Sequence, residues 1–339
     1  MLSESQLESL GKKIISLKDA PLPEEKDLQS FLENSLENLE NESSDYRPLD
    51  SHKKAGGLLD FTESNLPVIV VPDIHGRCDF IIRLLEYRIP AMENISVLNA
   101  LNEDRIIVVC VGDAVHGEKR AYERWVSSYD SYLSGDCVSE TMQEEMRENF
   151  SVWQSLMLLK NSFPKNFHFL KGNHENVLNE TGNGNYSFKK FVQEGQMCLE
   201  FIRHWYGDII LFLISYWEKA LPVCAVFRDF AVSHAEPFSV FTKKEIINYK
   251  KNPEITESFT WTANDDVEDD TCQKILKKLC PKSKRNGVIW FGGHRPVMQA
   301  KYSLRQNSSY IQIHNPDEMN VAFVDPGRDF YPEKDIISL

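Results

Sequence analysis

Apolar and polar positions fall into two regimes along the chain. In the first 65 residues the apolar positions recur at helical spacing. Leu2, Leu7, Leu10, Ile14, Ile15 and Leu17 form one set, Pro21 to Pro23 break it, and Leu28, Phe31, Leu32, Leu36 and Leu39 form a second set among acidic residues. Positions three and four apart share a helix face, so two amphipathic helices are expected, the second over Lys26 to Glu40, with polar loop over 41–57. From residue 66 the pattern changes to short β-branched runs, which read as buried strands: 66–71, 105–111, 167–170, 225–233, 287–293, 310–314 and 320–324. The stretches 221–227 and 230–234 read as a hairpin. Between the runs, 78–87, 118–133, 139–163, 188–217, 243–252 and 271–279 carry helical periodicity. Strands in runs with helices between the early ones predict a layered α/β or α+β domain over 66–339, behind an N-terminal helical extension over 1–65. The extension reads either as a regulatory or partner-binding arm or as helices packed on the domain.

Five of the strand-like runs end in the same way. The run 66–71 delivers Asp73 and His75; 105–111 delivers Asp113; 167–170 delivers Asn173 and His174; 225–233 delivers His234; and 287–293 delivers His294, with glycine beside most of them. Residues two apart on an extended chain point to the same side, so Asp73 and His75 can reach one point just beyond the sheet. That is how a sheet presents ligands to a metal ion.

Composition narrows the function. Lys and Arg number 38 against 51 Asp and Glu, a formal charge of −13, and such a chain repels polyanions at long range, which argues against a nucleic-acid binder. Seven scattered cysteines with no Cys-x-x-Cys pair read as reduced structural thiols and point to a cytoplasmic setting. The N-terminus lacks the basic start and apolar stretch of a signal peptide. No apolar run reaches the roughly 18 residues of a membrane span, so no membrane partner is expected. The acidic stretch 265–270 lacks EF-hand spacing and reads as a solvated loop. The turn-rich stretch 179–186 reads as a loop near the site, either touching substrate or lying plainly on the surface.

The candidate ligands are two carboxylates, one amide and three imidazoles, a mixed oxygen and nitrogen set that suits Mn²⁺, Fe or Zn²⁺ better than Ca²⁺. Asp113, on a middle strand, is assigned as the bridge between two metals. Asp73 and His75 complete the first site, and Asn173, His234 and His294 the second. Two divalent cations against two carboxylates leave a charge of about +2, matched to a phosphate monoester dianion. Two such metals about 3.5–4 Å apart can clamp phosphoryl oxygens and lower the pKa of a shared water, so that a bridging hydroxide attacks phosphorus in line.

Pro72-Asp-Ile-His-Gly76, Gly112-Asp-Ala-Val-His116, Gly172-Asn-His-Glu175, Val232-Ser-His-Ala-Glu236 and Gly292-Gly-His-Arg-Pro296 resemble the ordered motifs of calcineurin-like metallophosphoesterases. The likeness is greatest to the phosphoprotein (serine/threonine) phosphatases and their bacterial relatives, which include the symmetrical dinucleoside tetraphosphatases. Phe259-Thr-Trp261-Thr-Ala resembles the Trp-Ser-Asp-Pro region of that family, and Leu221-Pro before the His234 strand also fits. The resemblance spans 66–328. It implies a four-layer αββα sandwich, a dinuclear metal site with Mn²⁺ first among the candidates, and His174 as general acid for the leaving group. Imidazole can hold a proton near pH 7, which agrees with that role. The implied substrate is a phosphorylated protein, or alternatively a dinucleoside polyphosphate or other small phosphate ester; a weakly catalytic phosphate-binding protein is the third reading. The chain departs from the family's Gly-Asp-x-Val-Asp-Arg-Gly at two places. His116 stands where the aspartate that orients the acidic histidine would be, and could accept a hydrogen bond, bind phosphate when protonated, or fill space. Gly117 stands where a phosphate-gripping arginine would be. Arg295, beside His294, is the first candidate to replace it, with Arg77, Lys119 and Arg120 as others.

Overall fold

A computed structural model describes the chain except for residues 265, 268, 269 and 281–288. In chain order the elements are α1 (Glu4–Leu17), α2 (Glu25–Glu40), β1 (Leu58–Phe61), β2 (Val68–Val71), α3 (Cys78–Glu86), β3 (Arg88–Ile89), β4 (Ile95–Ser96), α4 (Val97–Asn102), β5 (Ile107–Cys110), α5 (Tyr122–Leu133), α6 (Glu140–Ser162), β6 (Phe167–Phe169), α7 (Glu194–Ala220), β7 (Cys224–Phe227), β8 (Phe230–Ser233), α8 (Lys243–Ile247), α9 (Pro253–Thr260), α10 (Thr271–Leu279), β9 (Ile289–Gly292), β10 (Ser303–Arg305), β11 (Tyr310–Gln312), β12 (Asn320–Val324), α11 (Pro332–Asp335) and β13 (Ile336–Ser338).

Two sheets form the middle layers, one ordered β1-β7-β8-β9-β11-β10 and the other β13-β12-β2-β5-β6. The central strands β2, β5, β7 and β8 are almost wholly apolar because both faces are covered, and the alternation shows where each side chain goes. Val68, Val70, Ile107 and Val109 point between the sheets, against Ala225, Phe227, Val232, Phe291 and Ile311. Ile69, Val71, Val108 and Cys110 point the other way, into a core shared with α1 to α7. On the far side, Cys224, Val226, Ala231 and Trp290 pack against α8, α9 and α10. The result is the αββα sandwich expected. All seven cysteines are free thiols, and six of them are buried. Among the described residues no helix is long and apolar enough to cross a membrane.

The sheet directions place the chemistry. β2, β5 and β6 run parallel, as do β8, β9 and β11. Each sheet therefore sends three C-terminal ends to one edge, where the chain leaves toward Asp73, Asp113 and Asn173 from one sheet and toward His234, His294 and His314 from the other.

The first 65 residues are built into the sandwich. α1 and α2 bury Leu7, Leu10, Ile14, Leu28, Leu32 and Leu39 in the same core as the β2–β5 face, and β1 pairs parallel with β7. Between α2 and β1 lies a buried ionic cluster. Glu42 binds Arg47 and Lys160, Lys160 reaches the His168 ring at 3.1 Å, and Arg47 donates to the Gly56 carbonyl at 2.8 Å.

Several element boundaries differ from the periodicity. The stretch expected to be helical over 118–133 opens with a 3₁₀ turn over Lys119–Ala121 and enters its α-helix at Tyr122. The helix expected over 188–217 starts at Glu194, whose carboxylate accepts the N–H groups of Lys190, Phe191 and Val192 and so holds the preceding segment as a loop. That helix is broken at Gly207 (φ 82°, ψ 177°), a conformation glycine adopts without steric cost. Gly287 and Val288 of the strand expected over 287–293, and three residues of the acidic stretch 265–270, lie outside the described residues.

Candidate metal centre

The strand ends meet in two adjoining donor clusters. In one, His234 Nε2 lies 2.9 Å from Asn173 Oδ1, 3.2 Å from His294 Nδ1 and 3.4 Å from Asp113 Oδ2, and His294 Nδ1 lies 2.9 Å from Asn173 Oδ1. In the other, His75 Nε2 stands 3.8 Å from Asp73 Oδ2 and 3.9 Å from Asp113 Oδ2. Asp113 thus belongs to both clusters, the position assigned to it from its place in the chain.

These spacings are those of donors around a cation. Metal bonds of about 2.0–2.2 Å bring neighbouring donors to roughly 3–3.5 Å and opposed donors to about 4 Å. The electrostatics also fit. Burial raises Asp73 to about 6 and Asp113 well above the ordinary carboxylate range, so both are short of positive charge. Burial lowers His75 to about 3, and burial with the neighbouring Arg295 charge lowers His294 to about 3, which keeps both imidazoles neutral and able to ligate. Burial also takes His234 well below the ordinary histidine range. Among the described residues His314 Nδ1, which faces Asp73, is buried without a hydrogen-bond partner, whereas on His234 and His294 the cluster-facing atoms are Nε2 and Nδ1. The His75 tautomer is fixed by the backbone: its Nδ1 faces the carbonyls of Val115 and His116, each at 3.1 Å, which leaves the Nε2 lone pair for the site.

The backbone is held in unusual conformations to achieve this. His75, Asp113, His116 and His294 all have positive φ, between 49° and 67°, a costly region for side-chain-bearing residues that clusters at functional sites. Glu175 supplies much of the restraint. Its carboxylate accepts from the N–H groups of Asp113 (2.9 Å), Ala114 (3.0 Å) and Gly172 (2.7 Å), locking two ligand loops together. Gly293 permits close approach, since a Cβ there would sit 1.8 Å from Asp73 Oδ1. The His294 N–H donates to Asp73 Oδ2 at 2.9 Å and so joins the two sheets.

Beside the clusters, His174 and His116 face each other Nδ1 to Nδ1 at 3.1 Å. His174 Nε2 is 3.6 Å from Asp113 Oδ2. Phe188 lies parallel to the His116 ring at 5.1 Å and against the His174 ring at 3.7 Å. Burial lowers His116 to about 3 and takes His174 well below the ordinary histidine range. The candidate phosphate-gripping arginines are placed very differently. Arg77 is buried and donates to the carbonyls of Asp73, Ile74, Asn315 and Glu318, so its guanidinium braces loops. Arg120 pairs with Glu148 at 2.6 Å and donates to the His75 carbonyl at 3.1 Å. Arg295 is exposed beside His294. In the loop over 179–186, the Tyr186 hydroxyl donates to Glu257 at 2.5 Å and its ring meets Trp261 edge-on.

Sequence reasoning assigned no role to Glu118 or His314. Glu118 is buried, with Oε2 3.0 Å from His314 Nε2 and Oε1 2.7 Å from Lys190 Nζ. His314 Nδ1 faces Asp73 Oδ2 at 3.9 Å. The available signal was the placement of His314 at the end of a sixth apolar run.

Comparison with known proteins agrees with this geometry. A family model described as calcineurin-like phosphoesterase matches residues 66–323. A protein serine/threonine phosphatase from Saccharomyces cerevisiae, with similarity to human phosphatase PP5, is 14% identical, with 100% of this chain and 95% of that one covered and a TM-score of 0.62. A cold-active protein-tyrosine phosphatase of a Shewanella species is 15% identical, covering 78% of this chain and 77% of that one at a TM-score of 0.47. At these identities the likeness concerns the fold alone. No curated protein sequence matches.

Proposed function

Because the chain belongs to the calcineurin-like phosphoesterase family and is a metal-dependent phosphatase, we propose that it hydrolyses phosphate monoesters at a dinuclear centre, as a serine/threonine protein phosphatase-like enzyme. The observation that carries this reading is the gathering of six donors at one sandwich edge, with Asp113 close to both His75 and His234. Asp73, His75 and Asp113 would hold one divalent ion, and Asp113, Asn173, His234 and His294 the other; Mn²⁺ is the first candidate, with Fe and Zn²⁺ also suited to these donors. When bound, the ions would polarise the phosphoryl oxygens and acidify a water.

The chain's own residues do the rest. Asp113 sets the spacing of the two donor clusters. Arg295, exposed beside His294, would supply a cation for a phosphate oxygen. Burial by itself keeps His174 neutral; a bound phosphate dianion would favour its charged form, in which it would carry the proton for the leaving oxygen while its Nδ1–H donates to His116 Nδ1. The Glu118 carboxylate would lower the site charge, but Lys190 offsets it, so the match to a dianionic monoester is kept.

A panel of a phosphoserine peptide, a dinucleoside tetraphosphate and p-nitrophenyl phosphate tests the substrate class. The account expects metal-dependent release of phosphate from the peptide. Preferential cleavage of the dinucleoside compound would shift the assignment to small phosphate esters. Saturable binding without turnover would make the protein a phosphate binder whose His116-for-aspartate exchange has cost the chemistry.

A further inference from the structure

We propose that His314 is a ligand of the ion held by Asp73, His75 and Asp113, bonding through Nδ1, and that Glu118 is the positioning residue that holds it there. The inference rests on the two-metal reading above and extends it to residues outside the recognised motifs.

The topology brings His314 to the site. β11 lies parallel to β9 with Gln312 opposite Gly292. Two residues beyond that pair, the two chains present His314 and His294 side by side. His294 turns to the Asn173 cluster and His314 to the Asp73 cluster, where Asp73, His75 and His314 each offer a ligand atom within 4.8 Å of the others.

The two ring nitrogens of His314 have different surroundings. Nε2 lies 3.0 Å from Glu118 Oε2, a hydrogen-bond distance, and donates its proton there. Nδ1 is buried with no hydrogen-bond partner. Its 3.9 Å separation from Asp73 Oδ2 is too long for a hydrogen bond. It matches the 3.8 Å between Asp73 Oδ2 and His75 Nε2, a pair already assigned to one ion. Donation of Nε2–H to Glu118 puts the lone pair on Nδ1, facing the Asp73 oxygen across a gap that a shared cation would fill. A carboxylate behind an imidazole is the arrangement that fixes the tautomer and ring direction of metal-binding histidines.

Glu118 is itself restrained. Its second oxygen accepts from Lys190 Nζ at 2.7 Å, from the loop that the Glu194 carboxylate holds in place. Both carboxylate oxygens are therefore engaged, and His314 cannot rotate without leaving Glu118 buried and underbonded. With His314 included, each ion has four protein ligands and shares Asp113 with the other.

Metal titration tests the assignment without reference to catalysis. Metal-stripped protein would be titrated with Mn²⁺ by calorimetry, with bound metal counted after gel filtration, for wild type, His314→Gln, Glu118→Gln and His294→Ala. The proposal expects two equivalents for wild type. For His314→Gln it expects one tight equivalent, with the other weakened at least tenfold. Glu118→Gln should weaken one equivalent by about 10–100-fold, the usual cost of losing such a partner. His294→Ala should weaken the other equivalent. In Co²⁺-loaded protein, one paramagnetically shifted imidazole N–H resonance of wild type should be missing from His314→Gln.

Two equivalents at unchanged affinity in His314→Gln, with that resonance retained, would overturn the assignment and leave the two-metal reading standing. Wild type that binds fewer than two equivalents overturns both. If His314→Gln does not fold, Glu118→Gln decides, and unchanged affinity there overturns the proposal.

Discussion

At the scale of single residues, the site places neutral, buried donors where only a cation completes them. His174→Ala should lower kcat by about 10²–10⁴-fold, the usual contribution of a general acid, with metal content unchanged; a fall in metal content instead would make His174 a ligand. The pairing of His116 with His174 yields a sharper expectation. A neutral imidazole stabilises a charged His174 less than a carboxylate does, so His116→Asp should raise kcat and move the acid limb of the rate profile, which stopped-flow or steady-state pH profiles would read. An unchanged profile would mean that the hydrogen bond at 3.1 Å has no part in proton transfer. The ligands assigned from sequence were legible because each stands at or just beyond the end of an apolar run, with glycine beside most of them, a pattern set by strand geometry. Glu118 and His314 were not. Glu118 was read as the start of a helix, and His314 as the last residue of a strand; only the parallel pairing of β11 with β9 shows that this strand ends at the same edge as the others.

At the scale of elements, the parallel runs could be read because strands buried on both faces are apolar throughout. The short strand Leu58–Phe61 and the helix Pro253–Thr260 were not, since four apolar or mixed residues after a polar loop carry little periodic signal and α9 begins at a proline. Whether the first two helices form an arm or part of the body could not be decided by periodicity, because an amphipathic face is the same in either case. Their packing depends on the buried cluster of Glu42, Arg47, Lys160 and His168. Burial alone would raise Glu42, but Lys160 and Arg47 hold it far below the ordinary range, and its removal would strand two buried cations. Glu42→Gln should therefore destabilise the fold by about 3–5 kcal/mol, seen as a lower midpoint in urea. Leu32→Ala, in the core beneath α2, should cost about 2–5 kcal/mol. If either variant released α1 and α2 to proteolysis while the remainder kept its melting temperature, the helices would be an appended arm.

At the scale of the whole molecule, an acidic chain carries its cationic chemistry in one buried place, and this shapes its response to pH. His75, His116 and His294 are lowered to about 3 and His168 to about 4, burial being the largest cause in each case. An unfolded histidine takes up its proton near 6.5. Between that value and about 4 these four sites hold fewer protons in the folded chain than in the unfolded one, so their contribution to stability falls as pH falls through this window, while Asp73, raised to about 6, and Glu218, raised to about 8, act in the opposite direction. In thermal melts of the metal-free protein the midpoint should therefore fall less from pH 7 to pH 4 in His168→Gln than in wild type. The same pH dependence in both proteins would contradict the burial of that imidazole. Added Mn²⁺ should raise the midpoint at pH 7, because ligands that bind only the native state stabilise it.

The central claim is that the donors of the two sheets form one dinuclear centre that hydrolyses phosphate esters, with Asp113 common to both ions. Its most direct test is p-nitrophenyl phosphate hydrolysis by metal-stripped protein as Mn²⁺ is added, for wild type and Asp113→Asn, with bound metal counted in the same samples. The account predicts that wild-type activity appears only as the second equivalent binds, and that Asp113→Asn loses turnover together with metal affinity. Wild type that holds two ions without turnover, or an Asp113→Asn variant that keeps its activity, would contradict it.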